Sequence, residues 1–196
     1  MSAEYITKAG IFISILTAAI ILLISIVAMA ADPPTLVPKT GQTTSYATGD
    51  DGNHQTGISI PNPRFTDNGD GTVMDKQTGL VWLKNANCFG TRIWSDAITD
   101  SNGLNSGECG LTDGTIEGDW RLPNRFELES LLDFQNDSPA LPTGHPFTGV
   151  QFYYYWSSTT HVYTDHVWLV TIYDGGVNFY IKTSSHFHVW PVRSDN

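Results

Sequence analysis

The stretch YYYWSSTTHVYTDHVWLVTIYDGGVNFYIKTSSHFHVWPVR, residues 153–193, decides the fold of this chain. In residues 166–173 apolar side chains recur at every second position, which is the period of a strand with one buried face. Asp174-Gly175-Gly176 is a turn sequence, and residues 177–182 can return antiparallel to the first strand. We therefore expect a β-hairpin whose core side carries Trp168, Val170 and Ile172.

The opposite side of this hairpin, together with its neighbouring loops, is rich in Tyr, His, Asn, Asp, Ser and Thr. Tyr and His offer amphipathic contact area at low entropic cost, and the small polar residues supply adaptable hydrogen bonds. This composition is typical of a recognition surface. The candidate ligand-binding residues are His161, Tyr163, Asp165, His166, Thr171, Tyr173, Asn178, Tyr180, His186 and His188.

Two short helices are predicted upstream of the hairpin. Thr91 can cap the first, and Asn124 with Glu127 is close to a capping box for the second. Together with the strand patterns, these helices predict an α+β domain with short antiparallel sheets. The apolar positions at helical spacing are Trp94, Ala97 and Ile98 in the first helix and Leu128, Leu131 and Leu132 in the second.

Residues 64–75 predict a second hairpin, because Asn68-Gly69 and Asp70-Gly71 supply the positive φ angles of a tight turn. The same stretch also resembles a calcium loop. However, Gly69 occupies the third position counted from Asp67, and no Glu closes the loop. We therefore expect a turn here, followed by a strand in residues 78–83 that buries Trp82 and Leu83.

The N-terminus predicts export. Lys8 precedes a charge-free, mostly apolar stretch over residues 9–31 that closes with Ala28-Met29-Ala30. This stretch is either a cleaved signal peptide or, because it approaches the ~20 residues that span a bilayer, a membrane anchor. Such a chain would be at the cell surface, periplasmic or secreted. Either membrane anchoring or self-association through this segment is compatible with the sequence.

Residues 32–63 are rich in Pro, Thr, Gly and Ser, so we expect a flexible linker or a loosely docked arm before a ligand-binding domain at 64–196. Cys88 and Cys109 flank a polar stretch. In an oxidising compartment they are most simply explained as a disulfide.

The whole chain carries 10 Lys and Arg against 20 Asp and Glu, for a formal net charge of -10. Phosphate binding needs an excess of cations, so nucleic acid is not expected as a partner, and polyanionic sugars are disfavoured for the same reason. We expect a protein or glycan ligand and no cofactor.

Residue types that could support catalysis or bind metal occur outside their usual motifs. Ser157-Ser158 lacks the Gly-x-Ser-x-Gly context of a hydrolase nucleophile. His186 and His188 are two residues apart on a predicted strand and could chelate a metal, but the sequence defines no third ligand. We therefore expect neither an enzyme nor a metal site, and we interpret these histidines as ligand contacts.

Five ordered motifs resemble a known family. They are FTDNGDGTV at 65–73, TGLVW at 78–82, GDWRLPN at 118–124, YWSST at 155–159 and VWPVR at 189–193. They are similar to the DUF1566 family, the C-terminal domain of the Legionella collagen-like adhesin. The resemblance covers about residues 63–193.

This resemblance implies a C-type-lectin-like α+β domain that is exported and used for binding, since family members include adhesins that bind sulfated glycans. The chain departs from the family pattern in two ways: it lacks a Gly-X-Y collagen repeat, and it is acidic. Trimerisation through a collagen stalk therefore does not carry over. The related formylglycine-generating fold shares the Arg-Leu-Pro motif, but its paired cysteines have no counterpart near this C-terminus.

Some proteins similar to this one are targets of diversity-generating retroelements, which rewrite adenine-containing codons in a C-terminal cassette. Asparagine codons randomised in this way cannot encode Trp, Lys, Glu, Gln or Met. Between His161 and His188 only Trp168 and Lys182 break that restriction, and both are expected to be scaffold residues. The alternative is ordinary variation, because exposed strands and loops favour Tyr, Thr, Ser and Asn anyway.

Two functions from different classes follow. The first is an adhesin-like surface domain that presents the Tyr- and His-rich surface to its ligand. The second is a structural subunit of an envelope assembly or filament, held by the apolar helix of residues 9–31.

Overall fold

The computed structural model describes residues 37–184 and 186–195. The predicted signal peptide or anchor at residues 1–31 therefore lies outside the described residues, and so does the filament hypothesis that depends on it. Within the described ranges, no helix has the length and apolar character needed to cross a membrane.

The described chain folds into two small sheets and three short helices. The helices are α1 (Asp51–His54), α2 (Trp94–Gly103) and α3 (Arg125–Ser130). The strands are β1 (Phe65–Asp67), β2 (Thr72–Asp75), β3 (Leu80–Leu83), β4 (Thr91–Arg92), β5 (Tyr154–Thr160), β6 (His166–Thr171), β7 (Val177–Ile181), β8 (Phe187–His188) and β9 (Val192–Ser194).

The first sheet has the order β1-β2-β3-β9 and is antiparallel throughout. The second has the order β4-β8-β5-β6-β7, and its β5–β8 pair alone is parallel. The predicted α+β class with mostly antiparallel sheets is confirmed, as are both predicted hairpins, β1–β2 and β6–β7.

Two apolar clusters cover opposite faces of the five-stranded sheet. The larger joins Tyr155 and Val170 of this sheet to Trp82 of the first sheet and Leu128 of α3. The smaller packs Leu169 and its neighbours against Ala97 of α2. Because the sheet lies between two helix-bearing layers, β6 buries residues from both of its faces.

This double burial corrects the predicted faces of β6. Leu169 is buried in the smaller cluster and Val170 in the larger one. Trp168 shares a face with Val170 but lies toward the end of the sheet, where it is only partly buried. Thr171, expected to face solvent, is buried. Strict alternation fails because both faces of the strand are covered.

The two helix predictions have different outcomes. The capping box at α3 is confirmed, since Asn124 Oδ1 accepts the Glu127 N–H at 3.0 Å and the Glu127 carboxylate accepts the Asn124 N–H at 2.7 Å. Thr91 does not cap α2. It lies in β4, the N-cap is Ile93, and no side chain caps the helix. Pairing of β4 with β8 takes Thr91 away from the helix end.

Two of the motif tryptophans, Trp156 and Trp190, join distant segments through their indole N–H groups. Trp156 Nε1 donates to the Arg92 carbonyl at 2.9 Å, and Trp190 Nε1 donates to the Leu83 carbonyl at 2.8 Å. The backbones of Arg121 and Val192 exchange two hydrogen bonds of 3.0 Å. The motif residues therefore join segments that are distant in the sequence, and they form the scaffold.

Residues 37–63, from the segment predicted to be a linker or docked arm, make specific contacts with the domain. The Gln135 side-chain oxygen accepts the N–H groups of Thr43 and Thr44, both at 2.8 Å. The Phe134 N–H donates to the Thr40 carbonyl at 2.9 Å. The one-turn helix α1 within this arm was not predicted, because its short polar sequence carries no apolar periodicity.

The predicted disulfide between Cys88 and Cys109 is present, with 5.7 Å between the two Cα atoms. Beside it, the Thr112 N–H donates to the Asp70 carbonyl at 2.8 Å. A Cβ at Gly71 would collide with the Gly110 carbonyl. The β1–β2 turn thus packs closely against the loop that the disulfide closes.

Candidate functional site: an exposed aromatic cluster

The loop between β5 and β6 is shaped by an irregularity in the strand pairing. The register shifts between Trp156 and Thr160, and the buried Ser157 hydroxyl donates to the Trp168 carbonyl at 2.7 Å. Beyond this bulge the chain turns tightly, because the His161 N–H donates to the His166 carbonyl at 3.0 Å. A bulge of this kind re-aims side chains at the end of a sheet.

The loop and the hairpin together form an aromatic cluster, defined here as His161, Tyr163, His166, Trp168 and Phe179. The His161 ring stacks on Phe179 with 4.1 Å between centroids, and it meets Trp168 edge-on at 4.7 Å. Tyr163 lies 4.9 Å from His161, and His166 lies 5.7 Å from Phe179. Three predicted contact residues, His161, Tyr163 and His166, are therefore brought together.

Trp168 and Phe179 are functional candidates that sequence reasoning missed. They are directly paired across β6 and β7, with ring centroids 5.8 Å apart. Trp168 had been expected on the core side of the hairpin and Phe179 was given no contact role, whereas β7 is an edge strand and all five of its residues are exposed. Alternation placed the two rings on a common face, but it did not show that this face is uncovered at the end of the sheet.

Helix α3 borders the cluster and supplies a cation to one of its rings. The Arg125 guanidinium lies 4.5 Å from the centroid of Trp168 and is paired with Glu129 one turn further along the helix. The Arg125 N–H donates to the Thr159 hydroxyl at 3.0 Å. The N-terminus of α3 is thereby held against β5, beside the exposed Phe126.

Lys182 holds the loop that presents His161 and Tyr163. Its ammonium group donates to the Thr164 carbonyl at 2.9 Å and to the Thr160 hydroxyl at 3.2 Å. It also lies 4.2 Å from the centroid of the Trp94 ring. The expectation that Lys182 is a scaffold residue thus agrees with contacts that pin both ends of the loop.

The polar groups of the cluster have defined hydrogen-bonding roles. The Tyr163 N–H donates to His161 Nδ1 at 3.1 Å, so that nitrogen must carry a lone pair in this arrangement. His166 Nδ1 lies 2.7 Å from Asp165 Oδ1. This hydrogen bond lowers the pKa of the Asp165 carboxyl, which keeps a negative charge at the edge of the cluster.

The remaining predicted contact residues lie elsewhere. Tyr180 is on the opposite face of β7, 5.2 Å from the Phe187 ring. Tyr173 is exposed in the β6–β7 turn, and Thr171 is buried. Asn178 is exposed, but its side-chain oxygen accepts the Phe179 N–H at 2.8 Å. These positions do not form one continuous surface with the aromatic cluster.

The two C-terminal histidines have different surroundings. His186 is exposed, and its Nδ1 lies 2.9 Å from the Ser184 hydroxyl. His188 is partly buried, with its Nδ1 2.9 Å from the Asn87 side-chain oxygen, and burial lowers the pKa of its imidazole. Across residues 37–184 and 186–195 no group of three or more His, Cys, Asp or Glu side chains is arranged to hold a metal.

Replacing Ser157 with Ala is expected to reduce the free energy of unfolding by about 1–2 kcal/mol, because it removes a buried hydrogen bond. The hydroxyl donates to the Trp168 carbonyl and also accepts the Thr159 N–H at 3.2 Å. Denaturant unfolding monitored by tryptophan fluorescence measures the effect. The neighbouring exposed Ser158→Ala is the control and should change stability by less than about 0.5 kcal/mol. Equal effects from the two variants would contradict the role assigned to Ser157.

The comparisons with known proteins agree with the motifs. Residues 71–193, more than half of the chain, match the family described as the Lcl C-terminal domain. No curated protein matches the sequence. The matched region begins at the β1–β2 turn and ends in β9, so it lacks β1 but contains β2 to β8 and the aromatic cluster.

Proposed function

We propose that this chain, which belongs to the Lcl C-terminal domain family, binds a macromolecular ligand through the aromatic cluster. Membership of this family suggests an adhesin-like surface domain. Family membership and the disulfide are consistent with a surface or exported location. The proposal assigns binding to the domain and no catalytic step.

The observation that carries the proposal is the exposure of packed aromatic rings at the end of the sheet. Tyr163 is 60% exposed and Phe179 is 36% exposed, although each ring contacts others of the cluster. Large exposed rings grouped in this way mark interaction sites, and aromatic residues dominate the energetics of protein interfaces.

Packing among the rings also prepares the surface for binding. The loop bearing His161 and Tyr163 is held by Lys182, and the Trp168 ring is held by Arg125. Side chains already fixed in position lose less conformational entropy when a ligand binds. A preorganised cluster therefore supports a binding role better than a set of scattered exposed side chains would.

The same geometry supports a variable contact surface on a constant scaffold. Trp168 and Lys182 are the two residues incompatible with randomised asparagine codons. Trp168 packs against His161 in the cluster, and Lys182 holds the loop that presents His161 and Tyr163. His161, Tyr163 and Phe179 are compatible with those codons, and Tyr163 and Phe179 are exposed at the periphery of the cluster. We propose on this basis that variation among related chains is concentrated at the peripheral positions.

The double variant Tyr163→Ala, Phe179→Ala is expected to weaken adhesion at least about tenfold, because it removes the two outermost rings of the cluster. Beads coated with the full chain can be tested on cultured epithelial cells, bacterial cells and polystyrene. Retention on at least one of these surfaces should depend on the two rings.

The matched control is Tyr46→Ala, Phe152→Ala, which also removes one exposed Tyr and one exposed Phe but from outside the cluster. It should leave retention unchanged. Both double variants should keep the free energy of unfolding within about 1 kcal/mol of the parent chain, since all four side chains are exposed. The proposal would be contradicted if the beads were retained on none of the surfaces, or if the two double variants were retained equally.

A further inference from the structure

Each arginine in the described part of the chain forms an ion pair with a carboxylate of the same chain. This matters for the ligand because the charge of an arginine paired with a carboxylate of its own chain is partly neutralised, so it attracts a sulfate or phosphate group less strongly. Each arginine in residues 37–184 and 186–195 has such a partner. The pairs are Arg64–Asp75, Arg92–Asp100, Arg121–Glu127, Arg125–Glu129 and Arg193–Asp113.

The two cations nearest the aromatic cluster, Arg125 and Lys182, also contact groups of the protein itself. Arg125 pairs with Glu129 and covers one side of Trp168. The Lys182 ammonium is bound to Thr160, Thr164 and the Trp94 ring. The two cations nearest the cluster therefore already have partners within the protein.

A carboxylate, by contrast, is exposed at the edge of the cluster. The Asp165 side chain is 68% exposed, and only its Oδ1 atom contacts His166. The chain as a whole has twice as many acidic as basic residues. Ring faces next to a carboxylate are complementary to a cation on an apolar stem, because the ring quadrupole and the carboxylate both attract positive charge.

Arg125 shows this mode of contact within the protein itself. Its guanidinium lies over the Trp168 ring while its Nε donates to the Glu129 carboxylate. Resting on the proposed function, we infer that the aromatic cluster takes a second guanidinium or ammonium group, supplied by a protein partner with exposed arginine or lysine. That cation lies against Tyr163 and Phe179 and beside Asp165. The cluster thus recognises a basic protein surface.

Two synthetic peptides test the inference with the full chain. One alternates arginine and serine, and the other replaces every arginine with citrulline, which keeps the shape of the side chain and removes its charge. The arginine peptide should bind at least about tenfold more tightly than the citrulline peptide, because only a cation gains from the rings and Asp165 together. Calorimetry at physiological salt measures both affinities.

Variants of the full chain then locate the binding site of the arginine peptide. Phe179→Ala and Asp165→Asn should each lower the affinity about fivefold. Glu117→Gln is the matched control, since it removes one exposed negative charge from the loop before Trp120, and it should change the affinity less than about twofold. Equal effects of Asp165→Asn and Glu117→Gln would mean that net charge alone attracts the peptide, which overturns the inference.

Two further results would also overturn it: equal affinity for the two peptides, and Phe179-dependent binding of heparin or dextran. The second would assign the rings to a sulfated or neutral polysaccharide. These outcomes are distinguishable from failure of the proposed function. If bead adhesion depends on Tyr163 and Phe179 while the arginine peptide does not bind, the proposed adhesive surface is supported. The inference that its partner is a basic protein is then refuted.

Discussion

Replacing Asp75 with Asn is expected to lower the free energy of unfolding by about 3–5 kcal/mol, because it leaves the Arg64 guanidinium charged and buried without its counter-ion. The Arg64 and Asp75 side chains are 3% and 0% exposed. They form a bidentate pair, with Nε–Oδ1 at 2.9 Å and Nη2–Oδ2 at 2.7 Å. Burial prevents water from replacing the lost carboxylate.

The position of this pair makes the loss larger than that of a single contact. Arg64 Nη2 also donates to the Ser130 carbonyl at the end of α3. Asp75 accepts the Gln77 N–H at 3.0 Å and the Thr78 hydroxyl at 2.9 Å. The pair thus joins the β1–β2 hairpin and the β2–β3 turn to the helix that borders the aromatic cluster.

Denaturant unfolding provides the measurement, and Asp67→Asn provides the control. Asp67 is paired with Lys84 at 2.6 Å, but the two side chains are 37% and 33% exposed, so its loss should cost no more than about 1 kcal/mol. Combining Arg64→Met with Asp75→Leu should recover part of the stability lost in Asp75→Asn, because no charge then remains buried. Similar losses in Asp75→Asn and Asp67→Asn would show that the buried pair has no special role.

Removing the disulfide is expected to have the next largest effect. The double variant Cys88→Ser, Cys109→Ser should lose about 3 kcal/mol, because a cross-link over 21 residues restricts the unfolded chain. The loop it closes contains β4 and α2, including Trp94, whose backbone N–H donates to the Lys182 carbonyl at 3.0 Å. The cross-link therefore constrains the segment that contacts Lys182, which holds the loop bearing His161 and Tyr163.

Reducing agent supplies an internal control for this effect. The parent chain should lose about the same 3 kcal/mol when reduced, whereas the double variant should be insensitive to the reductant. A parent chain whose unfolding is unchanged after complete reduction would contradict the predicted contribution. Free thiol titration verifies that reduction is complete.

Several elements of the fold could be predicted because local sequence chemistry controls them. The capping box at Asn124 depends on residues only three positions apart, and the β1–β2 and β6–β7 hairpins depend on turn residues between two short apolar runs. The disulfide followed from the count of two cysteines in a chain predicted to be exported. Each of these features is encoded within a short segment or by composition.

The errors arose where a distant segment changes the surroundings of a residue. Thr171 was expected to face solvent, yet it is buried, and Trp168 was expected in the core, yet it is only partly buried at the end of the sheet. Thr91 was predicted to be a helix cap, but pairing with β8 draws it into a strand. Local periodicity describes the two faces of a strand without saying what covers each of them.

The sequence by itself determined the α+β class, the family, the negative net charge and the His- and Tyr-rich character of the C-terminal segment. Only the tertiary structure decided that His161, Tyr163 and His166 join Trp168 and Phe179, while Tyr180 and His188 do not. It also showed that every described arginine is paired internally. The physical reason is that burial and charge pairing depend on contacts between segments far apart in the chain, which periodicity and composition do not specify.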